Sequence, residues 1–406
     1  GGGGRGGKRR AKGRLRGAQP LGCLQARMIG VMQAVSSVLV SLLTVLSVYY
    51  RVCSVSYKIP LRSDQLRDFR NQPLTKYKYP HIGYRPDLAA PIVEGWRGRA
   101  PFIAKNGRTV LQEYISLPSQ VHQGVAADHG QESVPNPKAL CIVLAGLGDS
   151  QDRNSLLADA LAKGGFAVHG MDYPGFGRSQ RDSGSGSDCV PCLIHNWDDV
   201  IAELMAFIRN VKKRYPAEMP CFVVGQSLGG ATALRCSVEH PEEFKGAVLL
   251  CPAIKSDASP VLQALSGVIG LLFPRLAIPI TVFEDDSGCR NLVEAERVRD
   301  DPGKTNQYIL AATGRAMIRC LRRVRGGLER METPFLAIHG RHDLLIAPEG
   351  TEELMRRAPA KDKSVWWLDE AWHALLAEPE HQEVCDRIVA WISDRSEPLH
   401  EEQPPP

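Results

Sequence analysis

A serine flanked by glycines, Gly225-Gln226-Ser227-Leu228-Gly229, ends the apolar run Cys221-Phe222-Val223-Val224 and opens the small-residue stretch Gly230-Ala231-Thr232-Ala233-Leu234. That order predicts a strand, a tight elbow and a helix, with the Ser227 hydroxyl lifted above a sheet edge where a histidine and a substrate carbonyl can reach it. A serine oxygen is a weak nucleophile until a neighbouring base takes its proton, so such an elbow demands a histidine and an acid elsewhere in the chain. Asp343, in His339-Gly340-Arg341-His342-Asp343 just past a late apolar run, is placed to orient an imidazole, and His373, in Asp369-Glu370-Ala371-Trp372-His373, is the expected general base. The chain order Ser227, Asp343, His373 is the one this kind of elbow uses; His339 and His342 precede the acid and are read as non-catalytic. Asp369 and Glu370 lie too close in sequence to His373 to serve as its acid.

An acyl transfer through this serine needs two backbone donors for the developing oxyanion. One is the N–H of Leu228, the residue after the nucleophile; the second is expected at Leu147, in the glycine turn Ala145-Gly146-Leu147-Gly148-Asp149. This chemistry requires no metal or cofactor.

The elements that must hold these residues can be read from periodicity. Apolar runs Ala139–Ala145, Phe166–Met171, Cys221–Gly225, Gly246–Cys251, Pro334–His339 and Ser364–Leu368 read as buried strands, alternating with helices near 154–164 and 197–214. In the latter, Val200, Ile201, Leu204, Phe207, Ile208 and Val211 cover one face. Such alternation predicts an α/β fold, a mainly parallel sheet flanked by helices. Over 253–330 the alternation breaks and an inserted helical cap is expected, between core segments 97–252 and 331–394. Val261, Leu262, Leu265, Ile269, Leu272 and Phe273, with Leu271, are its candidate acyl-site residues, apolar surface for a chain in a site from which water is excluded.

Length and charge narrow the partners. The chain has 406 residues and is 43% hydrophobic, ample for one large core, and its formal charge of +5 is carried by the amino terminus. Residues 1–27 hold eight of the 50 Lys and Arg and no acid, which leaves 42 against 45, a net of −3, so the body is no nucleic-acid binder. The Gly/Arg-rich arm 1–27 reads as disordered, 51–96 as a linker and leading region, and 395–406 as a disordered tail. Residues 28–50 carry no charge and would span about 30 Å as a helix, so membrane association through a single-pass anchor is expected, with the catalytic body on the non-cytosolic side. The alternatives are an organelle transit peptide, or a signal sequence starting at Met28 and removed on secretion. Cys141, Cys221 and Cys251 fall in apolar runs and read as buried thiols without a disulfide framework; Cys189-Val190-Pro191-Cys192 is a loop motif that could close a small disulfide or sense redox state, and it lacks a second ligand pair for zinc.

With these motifs in view, the chain resembles the α/β-hydrolase superfamily over about residues 97–394, and within it the monoacylglycerol lipase and lysophospholipase group of plant and algal type. The resemblance rests on Ala145-Gly-Leu-Gly-Asp149, Asp172-Tyr-Pro-Gly-Phe-Gly-Arg-Ser179, Gly225-Gln-Ser-Leu-Gly-Gly230, His339-Gly-Arg-His-Asp343 with Pro348, and Lys361-Asp-Lys363 through Trp372-His-Ala-Leu-Leu376. It implies a serine hydrolase that cleaves a small-molecule lipid ester, monoacylglycerol or lysophospholipid, through an acyl-enzyme. An acyltransferase to an alcohol or lysolipid on the same triad, and a non-catalytic ligand-binding protein of the same fold, are the alternatives. The chain departs from the family at Ala145, where a histidine usually precedes the oxyanion glycine, in the Gly/Ser insert with Cys189 and Cys192, and in its long amino-terminal extension.

Overall fold

The computed structural model describes residues 1–3, 96, 98–103, 110–118, 137–177, 179, 192–255, 260–279, 288–291, 293–294 and 308–396. The chain divides into Gly1–Gln65 and Leu66–Pro406, and every element below belongs to the second unit.

Eight strands form one sheet: β1 (Gly98–Ile103), β2 (Val110–Ser116), β3 (Leu140–Leu144), β4 (Ala167–Met171), β5 (Cys221–Gln226), β6 (Gly246–Leu250), β9 (Phe335–Gly340) and β10 (Lys363–Leu368). Their order is β1-β2-β4-β3-β5-β6-β9-β10. From β4 to β10 every neighbouring pair is parallel, while β1, β2 and β4 meet antiparallel. The strands expected from the apolar runs are all present within a residue or so of their expected ends. The antiparallel pair β1 and β2 was not anticipated. In β2, Glu113 is buried between the apolar Leu111 and Tyr114, which blurs the hydrophobic pattern, and β1 carries Pro101, tolerated because an edge strand can spare one N–H.

The central parallel strands β3, β5 and β6 are almost wholly apolar because both of their faces are covered. Leu140, Ile142, Leu144, Val223, Ala247, Leu249, Phe335 and Ala337 pack on one face with helix α2 (Trp197–Lys212). Cys141, Val143, Phe222, Val224, Val248, Leu250, Leu336 and Ile338 pack on the other with α1 (Ser155–Lys163) and α7 (His381–Ser396). Each fully buried Leu, Ile, Val or Phe contributes about 1.5–3 kcal/mol, so this double layer carries most of the fold's stability. The start of α2 is fixed locally: Asn196 Oδ1 accepts from the Asp198 N–H at 3.2 Å, and Asp198 and Asp199 complement the helix dipole. Helix α3 (Leu228–Glu239) follows β5 directly.

Between β6 and β9 the chain makes α4 (Pro260–Leu272), a short antiparallel ladder of β7 (Ala277–Pro279) and β8 (Tyr308–Leu310), and α5 (Ala311–Gly327), in the span expected to be a cap. Helix α4 lies so close to α5 that a Cβ at Gly270 would stand 2.5 Å from the Ala311 carbonyl oxygen. Helix α6 (Glu349–Arg357) follows β9, and α7 continues through Ser396, two residues into the stretch expected to be a disordered tail.

One expectation is corrected. Among the described residues no helix is long and apolar enough to cross a membrane, which overturns the single-pass membrane localisation; residues 28–50, on which it rested, lie outside the described residues. So do the rest of the basic arm beyond residue 3, residues 51–95 and Cys189.

Candidate active site

The parallel register brings the ends of β3, β5, β6, β9 and β10 to one edge: Leu144 pairs with Gly225, Gln226 with Leu250, Leu250 with Ile338, and Gly340 with Leu368. Each candidate residue sits just past one of these ends. Ser227 leaves β5 at φ 57 and ψ −119, a conformation that non-glycine residues avoid, and its N–H is anchored to the Leu250 carbonyl at 2.9 Å. The flanking glycines are steric necessities. A Cβ at Gly225 would lie 2.2 Å from the Gly229 carbonyl oxygen, and one at Gly229 2.4 Å from that of Leu144, backbone atoms that cannot step aside.

The turn after β3 comes to the same place, since a Cβ at Gly146 would be 3.6 Å from Ser227 Cβ. Leu147 is half-buried on that turn, and Leu228 opens α3. Among the described residues the N–H of neither Leu147 nor Leu228 is committed to a backbone carbonyl, as two oxyanion donors require. Ala145, ahead of Gly146, is buried.

Asp343 and His373 meet across the ends of β9 and β10. His373 Nδ1–H donates to Asp343 Oδ2 at 2.6 Å, and Asp343 Oδ1 accepts from the Leu345 and Ile346 N–H groups, both at 2.8 Å. Gly340 permits the approach: a Cβ there would lie 2.2 Å from the Trp372 carbonyl oxygen. The loop before the histidine also touches the elbow, where Gln226 Nε2 stands 3.5 Å from the His373 carbonyl oxygen. Burial alone would raise the Asp343 pKa. Hydrogen bonds from His339 and His373, the field of His373 and the Ile346 N–H outweigh it and hold the carboxyl well below the usual carboxylate range.

His339 is thus more than the strand-ending histidine read from sequence. Fully buried, it places Nε2 at 3.2 Å from Asp343 Oδ2 while Nδ1 meets the Thr351 hydroxyl at 2.7 Å. With Thr351 donating to Nδ1, the Nε2–H faces the acid and gives it a further donor. No local pattern marks such a role, because it depends on the register of β9 against the loop that follows. His342 is exposed.

Cys251, just past β6, has φ 40 and points its thiol at the Trp372 carbonyl oxygen, 3.8 Å away. Burial, with the Asp343 charge next in importance, pushes this thiol well above its usual pKa, which makes it a packing group and not a nucleophile. Among the described residues, Cys251, Asp343 and His373 are the group whose donor atoms are close enough to grip a metal ion, all within 4.8 Å of one another. Two of the three already share a proton there.

The cap residues fall differently. Leu265, Leu272 and Phe273 are exposed by 38%, 63% and 46%, with Val268 and Leu271 exposed beside them, and Ile269 is half-buried. Val261 and Leu262 lie in α4, their side chains outside the described set.

A strained serine elbow, an acid–histidine pair at neighbouring strand ends and a mainly parallel eight-stranded sheet define an α/β-hydrolase. The chain belongs to the hydrolase family described as serine aminopeptidase, S33, whose model matches residues 135–380. Among curated relatives it is 28% identical over 264 residues to a monoglyceride lipase of Rattus norvegicus, covering 64% of this chain and 84% of the relative. It is 27% identical over 275 residues to that of Homo sapiens, covering 66% and 87%. Among solved structures, a Paleococcus ferrophilus monoacylglycerol lipase superposes with a TM-score of 0.59 at 22% identity, covering 70% of this chain and 99% of that one. A soluble variant of the Saccharomyces cerevisiae monoglyceride lipase gives 0.58 at 17% identity, covering 74% and 98%.

Proposed function

We propose that this protein hydrolyses carboxylic esters of lipids, with monoacylglycerol or lysophospholipid as substrate, through an acyl-enzyme on Ser227. The observation that carries this reading is the 2.6 Å bond from His373 Nδ1–H to Asp343 Oδ2, which leaves His373 Nε2 as the free base at the edge that carries Ser227. The monoglyceride lipases among its relatives support the substrate class.

Ser227 Oγ attacks the ester carbonyl carbon while His373 Nε2 takes its proton. The carbonyl oxygen becomes an oxyanion held by the N–H groups of Leu147 and Leu228, and the ionised Asp343 stabilises the imidazolium. The intermediate collapses as the ester C–O bond breaks and His373 returns the proton to the leaving glycerol or lysolipid oxygen. Water, deprotonated in turn by His373, then attacks the acyl-serine and releases the fatty acid. The test is Ser227→Ala: hydrolysis of monoacylglycerol and of short p-nitrophenyl esters should vanish while the circular dichroism spectrum stays native. Turnover that survives the substitution would remove Ser227 from the mechanism.

A further inference from the structure

A short piece of the inserted segment between β7 and β8 holds the N–H of the residue after His373 directly and, through Glu378, the N–H of the residue before it. Ala374 N–H donates to the Gly288 carbonyl at 2.7 Å. Trp372 N–H donates to Glu378 Oε1 at 3.0 Å, and Glu378, with no exposed side chain, also accepts from the Arg290 backbone N–H at 3.2 Å and from Arg290 Nε–H at 2.8 Å. The Arg290 guanidinium reaches on to Glu380. Cys289, 2% exposed, seats the piece between these anchors.

We infer that Gly288–Asn291 is a strap through which the inserted segment positions the catalytic histidine, with Arg290 and Glu378 as positioning residues: only with the strap docked is His373 held toward Asp343 and Ser227. The inference rests on His373 being the general base. Its physical basis is the burial of Glu378. A carboxylate without exposure keeps its charge only where donors surround it, and here they are the histidine loop's own N–H and an arginine from the insertion. Releasing Arg290 strips the buried carboxylate of its cation and of two of its donors, and the side chain must move to find others, which loosens the N–H it holds one residue before His373. A displacement of about 1 Å at a catalytic base costs on the order of 100-fold in rate.

The test uses the full chain carrying Arg290→Met, with Arg290→Lys as the conservative rescue and Glu380→Gln as the control for the outer contact. For a p-nitrophenyl ester, R290M should lower kcat by about 10- to 100-fold with KM within about threefold. It should also shift or abolish the low-field proton resonance of the His373–Asp343 hydrogen bond. R290K should recover part of both, and E380Q should stay near wild type. Should R290M fail to fold, Glu378→Gln carries the test, because the amide oxygen still accepts from Trp372 N–H while the grip on Arg290 is lost; the same fall in kcat is expected. A folded R290M or E378Q with kcat within twofold of wild type, or one that loses activity with the low-field resonance unchanged, overturns the strap. Activity persisting in Ser227→Ala would instead overturn the underlying mechanism, so the two failures are distinguishable.

Discussion

Replacing Asp343 by Asn probes the site through a single atom. The carboxylate now accepts at both oxygens, Oδ1 from the Leu345 and Ile346 N–H groups at 2.8 Å each and Oδ2 from His373 Nδ1–H at 2.6 Å, with His339 Nε2 at 3.2 Å. An asparagine keeps its oxygen on the two backbone donors and turns its NH2 toward the histidines. His373 can meet that NH2 only by accepting at Nδ1, which moves the ring proton to Nε2, the atom that must take the serine proton. The wrong tautomer should cost about 10⁴-fold in kcat, or about 5.5 kcal/mol at 1.36 kcal/mol per tenfold, with KM little changed. Steady-state hydrolysis of a p-nitrophenyl ester gives kcat, and the rate of fluorophosphonate labelling reports nucleophile activation without deacylation. Both should fall together. A loss of less than tenfold would refute the assignment of Asp343 as the orienting acid. The same variant carries a stability signature. Folding depresses the Asp343 pKa, so its contribution is fully present above the unfolded value, about 3.9, and is lost as pH falls through the lower folded value. Scanning calorimetry should find the melting temperatures of wild type and D343N converging as pH drops below about 4.

Gly229→Ala sets a Cβ against the Leu144 and Ala145 carbonyls at 2.4 and 2.5 Å, and should destabilise by about 3 kcal/mol or prevent folding; Gly230→Ala, at 3.0 Å from Pro252 Cα, should be milder, a contrast that urea midpoints resolve. His339→Leu strips Asp343 and Thr351 of a buried partner and should cost about 1–3 kcal/mol in stability, with a far smaller loss of kcat than His373→Ala. In a separate buried cluster on β2 and β4, His169 fits a neutral ring that donates to Glu113 Oε1 at 2.7 Å and accepts from the Tyr215 hydroxyl at 2.6 Å. Burial holds its pKa below the usual histidine value against the pull of Glu113, so stability should be full above about pH 6.5 and fall as pH drops toward the folded value. His169→Gln should flatten the dependence of the urea midpoint between pH 7 and pH 5.

What was legible in the sequence is what is local. Cys221–Val224 is apolar at every position because both sheet faces are covered, and Gly225 and Gly229 flank Ser227 because a Cβ at either would stand within 2.5 Å of backbone, so strand and elbow write themselves into consecutive residues. Asp343 and His373 could be found because this fold places each after its own strand. The missed partners are distant in the chain: Arg290 and Glu378 are 88 residues apart, and His339 gains its role only from the loop that folds back on β9. The antiparallel strands β1 and β2 were hidden by Pro101 and by Glu113, whose burial makes sense only beside His169 and Arg214. Apolar character in α4 says that water is unfavourable there, and not which surface covers it; Leu271 and Leu272 are more than 60% exposed. The uncharged stretch 28–50 suggested an anchor by length and hydropathy alone, and the single-pass localisation built on it is not upheld.

The central claim is that Ser227 carries the acyl group. Brief exposure of the full chain to a lipid-like fluorophosphonate, followed by tryptic digestion and mass mapping, tests it at the level of one bond. The account predicts one adduct, on the peptide containing Gly225-Gln226-Ser227-Leu228-Gly229, formed in step with the loss of monoacylglycerol hydrolysis and absent from Ser227→Ala. Complete inhibition with the adduct on another residue, or full labelling of Ser227 with hydrolysis undiminished, would contradict it.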